Sequence, residues 1–99
     1  MMVGVGRLIL DYYQNDSMKL KHKNLESIVV ELKRKFNISV LEIEDFEDPE
    51  KCVFGFSVVI PSTWERKSAE SFLEKICKSV DEISEARLTY EDCKIIDVE

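Results

Sequence analysis

The spacing of apolar residues switches between strand-like and helix-like periods along the chain, and this order constrains the fold more than any other feature. Alternation of apolar with other residues predicts strands, whereas recurrence every three or four positions predicts helices. Strands are predicted at residues 3–13, 38–46, 52–60 and 87–98. Helices are predicted at residues 17–36 and from residue 62 onward, the second with its apolar face at Ala69, Phe72, Leu73, Ile76, Val80 and Ile83.

The order strand, helix, strand, strand, helix, strand is that of the ferredoxin-like βαββαβ unit, of the α+β class. Right-handed crossovers place both helices on one face of a four-stranded antiparallel sheet. The third strand is the most apolar, so we expect it to be central. A chain of 99 residues is accounted for by a single domain, residues 1–99, with almost nothing left for an active-site insertion.

Three local signals predict where the helices begin and end. Ser17 is a suitable N-cap for the first helix, because its hydroxyl can accept from an unpaired N–H. Asn37 is a suitable stop for that helix. Ser62 and Glu65 have the spacing of a capping box and predict the start of the second helix.

The alternation in the first strand also predicts how the chain associates. If Leu8, Leu10 and Tyr12 point toward the helices, then Val3, Val5, Arg7 and Ile9 point away from them. An apolar face of this kind needs a cover, and a second subunit is the simplest one. We therefore expect a homodimer formed through the open face of the sheet.

Cysteine usage and hydropathy indicate a cytoplasmic protein. The three cysteines, Cys52, Cys77 and Cys93, are odd in number and far apart in sequence, which is typical of free thiols in a reducing compartment. No apolar run approaches the ~18 residues of a membrane span. The N-terminal residues do not have the pattern of a signal peptide. We therefore expect no membrane partner.

The sequence predicts neither catalysis nor a metal or cofactor site. His22 is the only histidine, and nothing in the sequence places it beside a thiol or a hydroxyl. There is no Cys-x-x-Cys and no histidine pair for zinc. The acidic turn at Asp45, Glu47, Asp48 and Glu50 lacks the central glycine of a calcium loop.

Phe54-Gly55-Phe56 lies on the strand that carries the aromatic residues of RNA-recognition motifs. The basic residue and glycine that open that motif are absent, since Cys52 and Val53 occupy their places. Phe54 and Phe56 also belong to an alternating apolar row. We therefore interpret both as core residues, with base stacking as the alternative.

The net charge of −6 conceals an uneven distribution. Residues 1–40 sum to +3 and residues 41–99 to −9. A helical wheel of the first helix groups four cations on the side away from its apolar stripe and puts Lys21 near the buried side. The predicted polyanion-binding residues are Lys19, Lys21, Lys23, Lys33 and Arg34, with an exposed helix surface of no specific function as the alternative.

Trp64 lies off the apolar stripe of the second helix. It is interpreted either as a residue that packs on the preceding loop or as an exposed anchor for a partner.

Several short stretches together resemble the YlxP-like family of small bacterial proteins. The most specific are residues 17–21, close to an S-L-K-x-K-R helix start, and residues 36–42, close to an F-N-V-S-V-x-E run. The chain departs from the first pattern at Met18 and His22. Further matching positions are residues 3–5, Arg7, Leu8, Leu10, Gly55, Val58 and Val59.

The resemblance implies a ferredoxin-like fold, no established catalytic activity, and signature positions at Ser17, Lys19 and Lys21. Genes for such proteins often lie beside those for translation-initiation and ribosome-maturation factors, which suggests a ribosome- or RNA-linked role by association. Our first hypothesis is thus a non-enzymatic module that binds RNA or the ribosome through the first helix. The alternatives are a protein-interaction or structural domain, or a small-molecule sensor at a dimer interface.

Overall fold

The computed structural model describes the whole chain, Met1–Glu99, and confirms the ferredoxin-like βαββαβ architecture. The sheet is antiparallel with strand order β2-β3-β1-β4, so β1 and β3 are central. The helices lie together on one face. The elements are β1 (Met2–Asp11), α1 (Met18–Lys35), β2 (Ile38–Glu44), β3 (Lys51–Ile60), α2 (Arg66–Ile83) and β4 (Arg87–Asp97).

The core lies between the sheet and the two helices, on the side that the alternation predicts. Leu8 and Leu10 of β1 are fully buried there. Phe54 and Phe56 of β3 are only 3% and 5% exposed and belong to the same cluster. They are therefore core residues, and the alternative that they form a base-stacking platform is wrong.

Two glycines of β1 allow the close approach that the core needs. A Cβ atom at Gly6 would lie 2.1 Å from Cε2 of Phe56, whose backbone pairs with Gly6 across the sheet. A Cβ atom at Gly4 would lie 2.5 Å from Cδ2 of Leu73 on α2. The Gly4-Val5-Gly6 sequence thus serves packing on the sheet.

The structure confirms the predicted start of α1 but not that of α2. The hydroxyl of Ser17 accepts from the backbone N–H of Leu20 at 3.1 Å, as an N-cap does. The Ser62 capping box does not form, because the N-cap of α2 is Glu65 and its side chain makes no capping hydrogen bond. Residues 61–64 instead form a turn closed by the Trp64 N–H on the Pro61 carbonyl at 3.1 Å.

Trp64 packs on the junction of the two helices. Its ring meets Phe72 of α2 edge-on, with 5.5 Å between ring centroids, and Phe72 meets Phe36 in the same manner at 5.6 Å. Phe36 is the C-cap of α1, so this helix ends at Lys35, one residue before its predicted end and two before the predicted stop at Asn37. Trp64 therefore packs on α2 and not on the preceding loop as predicted, whereas its role as an anchor for a partner stays a prediction, with 41% of the residue exposed.

The other face of the sheet carries no helix and is largely apolar. Apolar side chains of all four strands lie on this face. Val53 of β3 is buried on it next to Ile9 of β1, although Val53 does not belong to the main core. Arg7 and Glu44 form an ion pair across this face at 3.3 Å. Its exposed or half-buried apolar residues are Val3, Val5, Ile9, Leu41, Ile43, Val59, Tyr90 and Ile96.

Candidate functional site

The solvent face of α1 carries the predicted cations. Lys19, Lys23 and Lys33 are exposed, and none of them forms an ion pair within the chain. Arg34 is also exposed, but its guanidinium is occupied by both carboxylate oxygens of Glu31, at 2.7 and 3.2 Å. This hydrogen bond holds the pKa of Glu31 below its ordinary value. We call Lys19, Lys23, Lys33 and Arg34 the α1 cationic face.

Lys21 does not belong to this face, which corrects its assignment to the polyanion-binding set. Its side chain is fully buried, and its ammonium donates to the backbone oxygens of Asp45 and Asp48, both at 2.7 Å. The carboxylate of Glu42 lies 3.0 Å from the same nitrogen and forms an ion pair with it. Two backbone oxygens and one carboxylate oxygen thus surround the buried ammonium, and Oε2 of Glu42 is itself buried with this ion pair as its polar contact and no hydrogen bond. The acid that offsets this cation at the start of α1 is Glu42.

The acidic turn between β2 and β3 is held in place by more than Lys21. The side-chain amide of Asn15 donates to the Pro49 carbonyl at 2.8 Å, and the backbone N–H of Gln14 donates to the Glu50 carboxylate at 3.1 Å. Asp48 accepts from the Glu50 N–H at 2.9 Å and is half-buried. The turn is therefore a packed part of the fold and not only a solvated acidic surface.

The one histidine and the three thiols do not form a catalytic set. His22 is exposed on α1, whereas Cys52 lies in the core on β3. Burial, and then the neighbouring Glu42 carboxylate, raise the pKa of Cys52 to about 12, so this thiol stays protonated at neutral pH. Nowhere do three or more His, Cys, Asp or Glu side chains converge as metal ligands. Neither helix has the length and apolarity needed to cross a bilayer.

The fold brings together one pair of side chains that no pattern in the sequence indicated. The Sγ atoms of Cys77 on α2 and Cys93 on β4 lie 3.4 Å apart, and all three cysteines are free thiols. Their separation in sequence concealed this contact. The signal was their position, since Cys77 follows Leu73 by four residues on the apolar face of α2 and Cys93 lies on the next strand.

A comparison with protein-family models decides which family this chain is part of. One model, of a protein family of unknown function, matches residues 3–93. The chain belongs to the DUF503 family. Membership agrees with the uncharacterised family that the sequence resembles, while the YlxP-like name stays a resemblance. A search of curated proteins finds no match to this DUF503 protein.

Solved structures place the DUF503 protein in its fold class. A crystal structure described as that of a candidate chlorite dismutase superposes with a TM-score of 0.53 at 8% sequence identity. The match covers 98% of the DUF503 protein but only 45% of the chain in that crystal structure. The DUF503 protein therefore spans less than half the length of the protein it resembles. At this identity the likeness concerns the ferredoxin-like fold alone.

Proposed function

We propose that this DUF503 protein is a non-enzymatic binding module that contacts RNA through the α1 cationic face. The observation that carries the proposal is the row formed by Lys19, Lys23 and Lys33. These lysines are exposed and free of ion pairs, and they lie opposite the buried side of α1. From Lys19 to Lys33 the helix rises roughly 21 Å, a span that covers several phosphates of an RNA strand.

The surroundings of this row limit the contact to α1. Glu26 and the exposed Val30 lie on the same face, and Arg34 is occupied by Glu31. The exposed side of α2 carries cations and carboxylates in mixed order, as at Glu74, Lys75 and Lys78. The acidic β2–β3 turn would repel a phosphate backbone. We therefore expect modest, strongly salt-dependent affinity, with few phosphates contacted.

The resemblance to YlxP-like proteins supports ribosomal RNA as the RNA that is bound. Binding to ribosomal RNA would place the protein in the cytoplasm. The separation of the one histidine from the three thiols supports a role without catalysis. The histidine lies on the exposed side of α1, and the three thiols lie on β3, α2 and β4. The rival function is that of a protein-interaction domain without a nucleic-acid role. The following experiment distinguishes this function from RNA binding.

Charge reversal on α1 is expected to abolish RNA binding. Binding of a fluorescent single-stranded RNA and of a hairpin RNA is measured by anisotropy over a salt series. For three lysines, the logarithm of the binding constant should fall with the logarithm of salt with a slope of about −2. The Lys19→Glu, Lys23→Glu double variant should bind at least about tenfold more weakly.

The matched control is the Lys75→Glu, Lys78→Glu double variant, which makes the same charge change on exposed positions of α2. It should bind RNA within about twofold of the unchanged protein. Equal losses in both variants would assign the effect to net charge and overturn a specific role for α1. Binding that does not change with salt, or no binding at all, would favour the protein-interaction alternative.

We also propose that two copies of the chain associate through the open faces of their sheets. Four strands spaced about 4.8 Å apart, three of them with ten or eleven residues and β2 with seven, present roughly 600 Å². This approaches the ~800 Å² that each partner buries in a standard interface. The residues on the face are mainly apolar, and the remaining charges include both signs, as at Asp92 and Lys94 of β4. A two-fold arrangement can therefore pair them.

Light scattering at micromolar concentration is expected to give twice the chain mass of 11.5 kDa. Val59→Lys places a charge on the open face at a residue that is 61% exposed, so it should yield a folded monomer. Val30→Lys is the control, because this valine is 57% exposed on α1, away from the open face, and the variant should remain dimeric. A monomeric mass for the unchanged protein would contradict the proposal.

A further inference from the structure

A groove of about 530 Å³ runs between α2 and the edge strand β4, on a different surface from the α1 cationic face. Cys77 and Cys93 line it with their sulfur atoms 3.4 Å apart. Arg66 spans one end, donating to the Asp97 carboxylate at 2.9 Å. The other lining residues are Glu70, Leu73, Glu74, Glu91, Lys94 and Ile95.

The two thiols differ in their exposure to solvent and in the direction in which their pKa values are shifted. Cys77 is 5% exposed, whereas Cys93 is half-buried and can be reached from the groove. Their mutual hydrogen bond, in which either sulfur can donate, lowers the pKa of Cys93 and raises the pKa of Cys77. Burial and the neighbouring carboxylate of Glu91 act on Cys93 in the opposite direction. The reachable thiol is thus the one whose thiolate is stabilised by its neighbour.

We propose that Cys77 and Cys93 form a site of reversible oxidation, at which a hydroperoxide converts the two thiols into a disulfide. The Cys93 thiolate attacks one oxygen of the hydroperoxide, the O–O bond breaks, and Cys93 becomes a sulfenic acid. The departing hydroxide or alkoxide takes up from solvent the proton that Cys93 released on ionising, and it leaves as water or an alcohol. The Cys77 sulfur then attacks the Cys93 sulfur. The S–O bond breaks, and the departing hydroxide takes the Cys77 proton to leave as water. Two thiols are oxidised and one hydroperoxide is reduced.

The geometry requires only a small movement for the second step. The sulfur atoms must close from 3.4 Å to the about 2.05 Å of a disulfide. Cys93 lies on β4, which is hydrogen-bonded to β1 on one side only, so this strand can shift without breaking a second ladder. Cys52 lies on β3 in the core and has no thiol neighbour, so it does not take part.

The reaction is tested on the reduced full-length chain treated with hydrogen peroxide. Thiols are counted after denaturation, and the linkage is identified by peptide mass spectrometry without reduction. The count should fall from three to one, with the loss of two hydrogen atoms and a Cys77–Cys93 peptide pair. Dithiothreitol should restore all three thiols. Covalent dimers or a linkage through Cys52 would overturn the proposal, as would thiols that remain unoxidised.

Three serine variants separate the roles of the cysteines. Cys52→Ser should still form the disulfide, with its thiol count falling to zero. Cys77→Ser should stop at the sulfenic acid, which dimedone labels at Cys93. Cys93→Ser should be oxidised at least about tenfold more slowly than the unchanged protein. Circular dichroism confirms that each variant is folded, and oxidation of Cys93→Ser at the unchanged rate would contradict the order of attack.

Discussion

Replacing Lys21 with methionine is expected to lower the free energy of unfolding by about 3–5 kcal/mol. The substitution keeps a side chain of similar length but removes the ammonium, so the Asp48 carbonyl loses this donor and the Asp45 carbonyl keeps only the Asp48 N–H at 3.1 Å. The Glu42 carboxylate, whose side chain is only 17% exposed, is left without its cation. Urea denaturation followed by circular dichroism measures the change.

Lys23→Met is the matched control for this prediction. Lys23 lies two residues away on the same helix but is exposed, so its replacement should change the unfolding free energy by less than about 0.5 kcal/mol. Adding Glu42→Gln to Lys21→Met should recover part of the loss, because the unpaired buried charge is then removed. Lys21→Met and Lys23→Met variants of equal stability would show that the buried ammonium contributes little.

Gly6→Ala is expected to destabilise the fold by about 2–4 kcal/mol. The added methyl group would lie 2.1 Å from Phe56, a distance that the packed core cannot accept without moving the ring. Gly6 does not adopt a positive φ angle, so the effect is one of space and not of backbone strain. Thermal and urea unfolding of the variant measure it.

Gly55→Ala makes the same change at another central-strand position and serves as the control. Its Cβ atom would meet Ile43 at 3.4 Å, an ordinary contact on the open face of the sheet, so a change below about 1 kcal/mol is expected. Combining Gly6→Ala with Phe56→Leu should cost less than the sum of the two single changes, because the smaller side chain removes the clash. Strict additivity would contradict a direct contact between Gly6 and Phe56.

The sequence predicts those parts of the structure that depend on the local spacing of apolar residues and on residues at the ends of helices. Alternation identified which residues of β1 face the helices, and the hydroxyl of Ser17 marked the start of α1. The capping box at Ser62 failed for a physical reason. A turn closed by Trp64 on Pro61 occupies those residues, and the Trp64 ring packs on Phe72, so α2 begins only at Arg66.

The candidate site depends on contacts between residues far apart in sequence, and local patterns do not carry them. The helical wheel puts Lys21 near the buried side of α1, but it does not identify the oxygens that hold its ammonium, and Lys21 was kept in the predicted polyanion-binding set. Its burial requires oxygens from Asp45 and Asp48, more than twenty residues away. Cys77 and Cys93 likewise meet only because α2 returns the chain alongside the edge strand.

The aromatic contact between the two helices gives this protein a built-in optical reporter. Trp64 is the only tryptophan, and it lies against Phe72, which in turn lies against Phe36 at the end of α1. Its emission therefore reports on one defined place, the junction where α1 ends and α2 begins. A shift of that emission during unfolding, compared with the loss of helical signal, would reveal whether the helices separate before the sheet melts.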